Sequence, residues 1–378
     1  MEYELRHFDR TLLRFEADKD SSDPDYQVLW VDEDAQSLLP YGLIASPKGI
    51  AQWIAHRAIP KNRAFVNTFL ARSGLSANRP LGIITVCKGL SLNDCYWVCE
   101  ADSDDMFAKV NLYENRMSQL LANIAFTGYG SSPRNGFSSS PEFTTNGMLP
   151  KCWRRIDGRI YLYKGGTTGA ANAGFEPHSE YYAADVARAF GANAVDYELH
   201  RFKGVLCSTC ELFTSMDVSY VPMASVVTSG GFAAVADLCQ RMGEQYTQAL
   251  SDMLAFDALI CNTDRHYNNF GFLADSRTNK LVAFAPLFDH GNSLFHQAYG
   301  DDWLDDAHLS AYASAFVPRV YDDFFSTAKL YMTHETRAKV RGMLEFEFSR
   351  GPRAGFAKKR LGMIQRQIRQ RAQMLLED

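Results

Sequence analysis

An apolar stretch of helical length, about residues 248–260, runs straight into Asn262-Thr263-Asp264-Arg265-His266, and the chain turns apolar again at Phe270-Gly271-Phe272-Leu273. This junction constrains the fold more than any other. Polar groups pinned between two buried segments need partners inside the protein, because burying them bare costs several kcal/mol. An Asp, an Arg, a His and three Asn in the eight positions 262–269 is more polarity than a solvated turn requires. A second apolar run, "KLVAFAPLFDHGNSLF", reads as a strand ending at Asp289-His290-Gly291. Two carboxylates, Asp264 and Asp289, therefore stand at the edges of buried elements with Asn269 between them.

The rest of the chain reads as a frame for that junction. Before residue 128 the pattern is mixed: "YQVLWV" and "LGIITVC" read as strands, "GIAQWIAHRAI" and "RAFVNTFLARSGL" as helices, the second closed by Gly74. A further helix, "ENRMSQLLANIAF", stops at "TGYG", and residues 128–147 are dense in Gly, Ser, Pro and Thr, which marks a loop. Two strands around "RIDGR" carry an Asp-Gly hairpin signal. "HSEYYAADVARAFG" is an amphipathic helix stopped by Gly191, and "DYELHRF" with "GVLCSTCELF" suggests a second antiparallel pair. From about 230 helices dominate. Strands first and helices afterwards argue for two lobes rather than a doubly wound sheet.

Phosphoryl transfer needs the groups collected here. One carboxylate orients or accepts the nucleophile's proton, and a second with an amide oxygen holds Mg²⁺, which favours hard oxygen ligands. Asp289 and Asn269 supply such oxygens, and Gly291 lets the chain turn sharply. A phosphate site also needs positive charge. Lys164 ends the strand "RIYLYK", and Glu180 on the following helix is a candidate ion-pair partner for it. Upstream, "TTNGMLPK" offers a turn at Gly147 whose amides can approach phosphates, with Lys151 beside it. Each signal alone is an ordinary turn, strand end or helix face; their order along the chain is what makes them specific.

In that order the chain resembles the HipA-like serine/threonine kinases, bacterial relatives of the protein-kinase fold known mostly from toxin–antitoxin systems. "NGMLPK" is similar to the glycine loop, "YLYK" to the strand lysine, "CELF" to the segment joining the lobes, "NTDRHYNN" to the catalytic loop and "LFDHG" to the metal-binding aspartate. The resemblance covers about residues 141–295 with good motifs and the helical remainder more loosely. It implies an α+β, bilobal protein-kinase-like fold: a β-rich N-lobe over 147–215 and a mostly helical C-lobe over 216–378. A mixed region, 1–127, and the loop 128–146 precede them. It implies ATP and Mg²⁺ as cofactors, Asp264 as catalytic base and His266 near the phosphates. By the same resemblance Lys164 grips the α/β-phosphates, Asn269 and Asp289 bind the metal, and the backbones of Glu211 and Phe213 meet the adenine edge. Some relatives autophosphorylate a hydroxyl three positions before the loop glycine, here Thr144; Thr145 and Ser138 to Ser140 are alternatives. A protein substrate, such as a component of translation, and an antitoxin partner are the expected company. Two departures stand out: 1–127 does not follow the pattern of the best-known toxins, and His290 replaces the Phe usual in eukaryotic kinases, though either ring can pack.

Other classes fit less well. A net charge of −5 argues against general nucleic-acid affinity, so DNA is expected only indirectly. No apolar run approaches the roughly 20 residues of a membrane span, and the N-terminus has no signal-like segment, so a cytoplasmic protein is expected. Of eight cysteines, Cys207 and Cys210 form the one CxxC, without the second pair a zinc ribbon needs. "GDDWLDDAH" (300–308) reads as a solvated acidic loop, and the tail, with Leu361, Ile364, Ile368 and Leu375 at helical spacing, as a packing helix with a basic outer face. His178 is expected to make a local polar contact, and Asp257, inside an apolar helix, to cap the amides of the catalytic loop. A small-molecule or lipid kinase on the same scaffold, and a nucleotide-binding regulator without turnover, remain the competing readings.

Overall fold

A computed structural model describes residues 1–130, 140–353 and 356–377. The chain forms two compact units: residues 1–164, 211–221 and 273–282 make the first, and 165–210, 222–272 and 283–378 the second. Ser138 and Ser139, within the stretch 131–139 of the Gly/Ser-rich loop, lie outside the described residues.

The first unit opens with strands β1 (Glu2–His7), β2 (Arg10–Glu16) and β3 (Gln27–Val31). Helices α1 (Pro47–Arg57), α2 (Val66–Arg72) and α3 (Pro80–Cys87) follow, then β4 (Tyr96–Glu100), the short α4 (Phe107–Val110) and α5 (Gln119–Thr127). The four strands make an antiparallel sheet in the order β3-β2-β1-β4. Its inward residues Tyr3, Leu5, Leu13 and Phe15 share a core with Ile54, Phe69, Ile84 and, from much later in the chain, Phe143. "LGIITVC", expected as a strand, is instead α3. Pro80 stands in its first turn, where the missing N–H costs nothing, and Leu81, Ile83, Ile84 and Cys87 are buried. A short all-apolar run carries no period, so nothing in it separates strand from helix. The expected hairpin is present as β5 (Lys151–Ile156) and β6 (Arg159–Gly165), which pair antiparallel around Asp157 and Gly158, both at positive φ.

In the second unit α6 (Glu176–Phe190) is closed by Gly191, whose φ of 77° lets its N–H reach back to the carbonyls of Ala187 and Arg188. Strands β7 (Glu198–Phe202) and β8 (Val205–Glu211) pair antiparallel as expected. The chain runs through β9 (Val218–Pro222), which belongs to the first unit except for its last residue; the short α7 (Met223–Val226), α8 (Gly231–Met242) and α9 (Glu244–Ile260) then follow in the second. Every residue of α9 from Leu250 onward is buried. That all-round burial is what a helix at the centre of a bundle shows, and α9 packs against α6 and α8 and against three later helices. These are α11 (Phe324–Tyr331), α12 (His334–Gly342) and α13 (Lys358–Leu376), preceded by α10 (Asp306–Ser314). Leu361, Ile364, Ile368 and Leu375 of α13 are buried, as their spacing predicts. Beyond α9 the chain resumes as β10 (Gly271–Asp275) and β11 (Leu281–Phe284), whose stretch 273–282 is counted with the first unit. The strand expected to reach Asp289 therefore stops five residues short; Pro286, with no N–H to donate, follows two residues after its end.

Candidate active site

The catalytic-type loop begins where α9 ends. Cys261 takes a left-handed conformation (φ 52°), and the Asn262 amide returns to the Asp257 carbonyl at 3.0 Å. The loop then closes on itself: the His266 amide bonds the Asp264 carbonyl at 2.8 Å, and the Asn269 amide bonds the His266 carbonyl at 2.7 Å. Asn269 is buried, and its side-chain nitrogen donates to the Asp264 carbonyl at 3.0 Å. Held in that way, it offers its oxygen as a hard ligand atom. Past the strand, Phe270 and Phe272 both lay their rings on Phe284, with centroids 6.3 and 5.7 Å apart.

Beneath the loop lies a fully buried ion pair. The Arg265 guanidinium donates through Nε and Nη2 to the two Asp257 oxygens, both at 2.8 Å, and neither side chain is exposed. Its Nη1 donates to the carbonyls of Asn269 at 2.8 Å and Phe288 at 2.9 Å. One cation thus fixes the residue that carries one candidate metal ligand and the neighbour of the other, Asp289. This corrects the role expected for Asp257, which accepts from the side chains of Arg265 and Asn262 rather than from loop amides. A fully buried carboxylate needs a charge partner more than a dipole.

Asp289 itself stands at φ 60°, a conformation seldom taken by side chains larger than glycine. Its amide donates to the Tyr197 hydroxyl at 3.1 Å. Burial, with Cys210, Glu180 and Asp289 nearby, pushes the Tyr197 phenol far above its ordinary range, so it stays neutral. His290 is fully buried and meets Phe256 and Tyr197 edge-on, at 5.2 and 6.2 Å. It packs as a ring, which is why a histidine is tolerated there. Glu180, on α6, is also fully buried and accepts from the Ser208 hydroxyl. His178, two residues earlier, stacks on Phe356 with centroids 5.1 Å apart.

Sequence reasoning missed two groups on Asp264. The Asn292 side-chain nitrogen donates to one carboxylate oxygen at 3.0 Å, and the Arg319 guanidinium pairs with the other. They come from 28 and 55 residues downstream, beyond the reach of any local motif. His266 has its pKa lowered: burial penalises the charged ring and outweighs the pull of Asp264 and Asp289. The Asn268 amide donates to its Nδ1 at 3.2 Å, which fits a neutral ring protonated on Nε2.

The remaining expected residues belong to the first unit. Gly147 sits at φ +95°, where a side chain is strained, and a Cβ built there would stand 2.2 Å from the Lys151 ammonium, which would have to shift. Lys151 is buried and donates to the Asn146 carbonyl at 2.8 Å. Lys164 is buried, its Cα opposite that of Lys151 across the hairpin. Arg63 spans the loop: it donates to the carbonyls of Thr145 at 2.9 Å and Lys151 at 2.5 Å. Burial draws its pKa down to about 10 against the pull of Glu142. Thr144 is buried, and its hydroxyl donates to the Leu90 carbonyl at 2.6 Å. The Ile59 amide holds the Phe143 carbonyl at 2.7 Å, and the Ala64 amide the Met148 carbonyl at 2.8 Å. Glu211 carries an exposed pair with Arg159, the Leu212 amide bonds Ile160, and Phe213 meets Tyr220 edge-on at 5.7 Å.

Comparison with known proteins adds to this geometry. The model of the HipA-like C-terminal domain matches residues 143–345. The serine/threonine-protein kinase CtkA of Helicobacter pylori is 29% identical over 134 residues, 32% of this chain and 41% of that protein. The match therefore spans about two fifths of the relative's length. Among solved structures, a chain of the toxin–antitoxin complex of HipA, HipB and operator DNA from Shewanella oneidensis MR-1 superimposes with a TM-score of 0.57 at 12% identity, covering 98% of this chain and 96% of that one. The Helicobacter pylori proinflammatory kinase CtkA aligns with a TM-score of 0.44 at 17% identity, over 60% of this chain and 91% of its own.

Proposed function

This chain belongs to the HipA-like C-terminal domain family, and we propose that it is an ATP- and Mg²⁺-dependent serine/threonine protein kinase. One observation carries the reading: a carboxylate on the wall of a cavity, Asp264, shares a loop with the amide of Asn269, and the buried Arg265 ties that loop to the segment of Asp289. The donor chemistry suits the cofactors. Asn269 and Asp289 would supply hard oxygens to the metal, and Gly147, Lys151 and Lys164 would supply amides and positive charge to the phosphates. Glu180 would hold the Lys164 ammonium, and the backbones of Glu211 and Phe213 would meet the adenine. Bound MgATP supplies the phosphoryl group and a metal that offsets its charge.

In this reading Asp264 takes the proton of the acceptor hydroxyl, with Asn292 orienting one of its oxygens. His266, neutral near pH 7, lies near the phosphates without adding charge. The β-rich segment 147–215 would act as one lobe and 216–378 as the other. Among the described residues no helix is long and apolar enough to cross a membrane. An antitoxin partner is proposed from the HipA–HipB likeness, and a protein acceptor, such as a translation component, from the kinase reading. Thr144 is the proposed site of autophosphorylation; since its hydroxyl is buried on Leu90, the loop would have to leave its seat first. Intact-mass spectrometry after incubation with ATP and Mg²⁺, beside D264N, is the test. Added phosphate on the unaltered protein alone supports the reading, and transfer that survives D264N removes Asp264 from the chemistry.

A further inference from the structure

Within the second unit a cavity of about 240 Å³ opens beside Asp264. Asp264, Asn292 and Arg319, with Thr263, His296 and Gln297, give it polar lining; the rings of Phe295, Tyr312 and Phe316 give it apolar lining. We propose that this cavity is the acceptor subsite, and that it selects a hydroxyl residue flanked by one apolar or aromatic side chain. The inference rests on the kinase reading above and specifies its substrate.

Three observations carry it. The first is size: about 240 Å³ falls below the roughly 300–1,000 Å³ of small-molecule sites, so the space suits a single side chain rather than a whole drug-sized acceptor. The second is the lining. Tyr312 and Phe316 meet edge-on with centroids 4.8 Å apart, and Phe295 is buried. A carboxylate and three aromatic rings in one lining describe a ligand with a reacting hydroxyl and an apolar group beside it. The third is backbone strain. Leu294 and Phe295 are consecutive non-glycine residues in the left-handed region, at φ 50° and 56°. Such conformations persist only where the surroundings impose them, and they gather at functional sites. Here the Leu294 amide is tied to the Ile260 carbonyl at 2.8 Å, at the foot of the catalytic-type loop.

The Arg319 guanidinium on Asp264 does not close the site. Its side chain is 59% exposed, and an ion pair so open to water is weak and easily exchanged. An entering hydroxyl donates to the carboxylate as the guanidinium turns to solvent, while Asn292 keeps hold of the other oxygen.

The experiment is phosphate transfer from radiolabelled ATP to a positional library of Ser/Thr peptides, alongside autophosphorylation of the chain alone. The expected result is selection of Phe, Leu or Met at a position next to the hydroxyl over Gly, Asp or Lys. In F316A, and in Y312A as a second variant, KM for the selected peptide rises by roughly ten-fold, the effect of losing part of an apolar pocket, while KM for ATP is unchanged. A melting temperature and an ATP affinity close to those of the wild type verify that each variant is folded. Phosphate transfer without apolar selection, or selection identical in the wild type and both variants, overturns this inference and leaves the kinase reading standing. Absence of ATP turnover, with peptides or without, overturns both.

Discussion

Replacing Arg265 with methionine removes the cation from a pair that has no access to water. Asp257 would keep only the Asn262 amide at 2.9 Å, and the carbonyls of Asn269 and Phe288 would lose their shared donor. Methionine is long enough to fill much of the space, so the penalty comes from charge rather than from a cavity. Breaking a buried pair by removing one partner costs about 3–5 kcal/mol, because the other charge is left in a medium that cannot solvate it. For a body of 150–250 residues, each kcal/mol lowers the melting temperature by roughly 2–4 °C, so R265M should melt about 6–20 °C lower. Thermal unfolding followed by calorimetry reads this directly. The companion variant is D257N/R265M, in which both charges are gone; it should recover part of the loss, giving a coupling energy of the sign expected for an ion pair. A single variant within about 1 kcal/mol of wild type, or a double variant as unstable as the sum of the singles, would refute the account. R265M should also lose phosphate transfer more completely than its residual folded fraction explains.

Three further outcomes follow from the same contacts. G147A combines a left-handed backbone with a Cβ 2.2 Å from the Lys151 ammonium, whereas G158A, at φ 82°, meets nothing within 4 Å. Both should lose roughly 1–2 kcal/mol from backbone strain, but only G147A should raise KM for ATP; equal KM values would remove Gly147 from the nucleotide site. R63M should loosen the loop held at Thr145 and Lys151 and raise KM for ATP, with the β5–β6 hairpin amides exchanging faster in deuterium; unchanged exchange would contradict this. His7 and His266 both have pKa values lowered chiefly by burial. Between those values and the usual value of about 6.5 the unfolded chain binds more protons, so these residues make stability fall as pH drops below about 6.5. Urea midpoints at pH 7.5 and 5 measure the loss, which H266N should reduce; a loss undiminished in H266N would sink the assignment.

Legibility in the sequence followed distance along the chain. Asp264, His266 and Asn269 could be grouped because they share one loop, and Phe270 and Phe272 could be paired because their spacing puts them on one face. Asn292 and Arg319 could not be linked to Asp264, since neither sits in a pattern of its own. Arg63 is the clearest case: a lone arginine in "PKNRAF" gives no sign that it will bond residues 82 and 88 positions away. The helix α3 was lost for a different reason, because a fully buried segment shows no alternation of polar and apolar residues by which to read its period. Asp257 was recognised as needing a partner, and the partner stood eight residues on, inside the very motif read for chemistry.

The anchoring of Phe143 beside Phe69, 4.7 Å between ring centroids, has a consequence for genetics. Loss-of-function alleles should appear in residues 59–90, far in sequence from Gly147, because Ile59, Ala64 and Leu90 each hold a point on the segment 143–148. Such alleles would look at first like folding defects. Their suppressors would not scatter across the chain but would gather between residues 140 and 151, where a compensating change can reseat the loop.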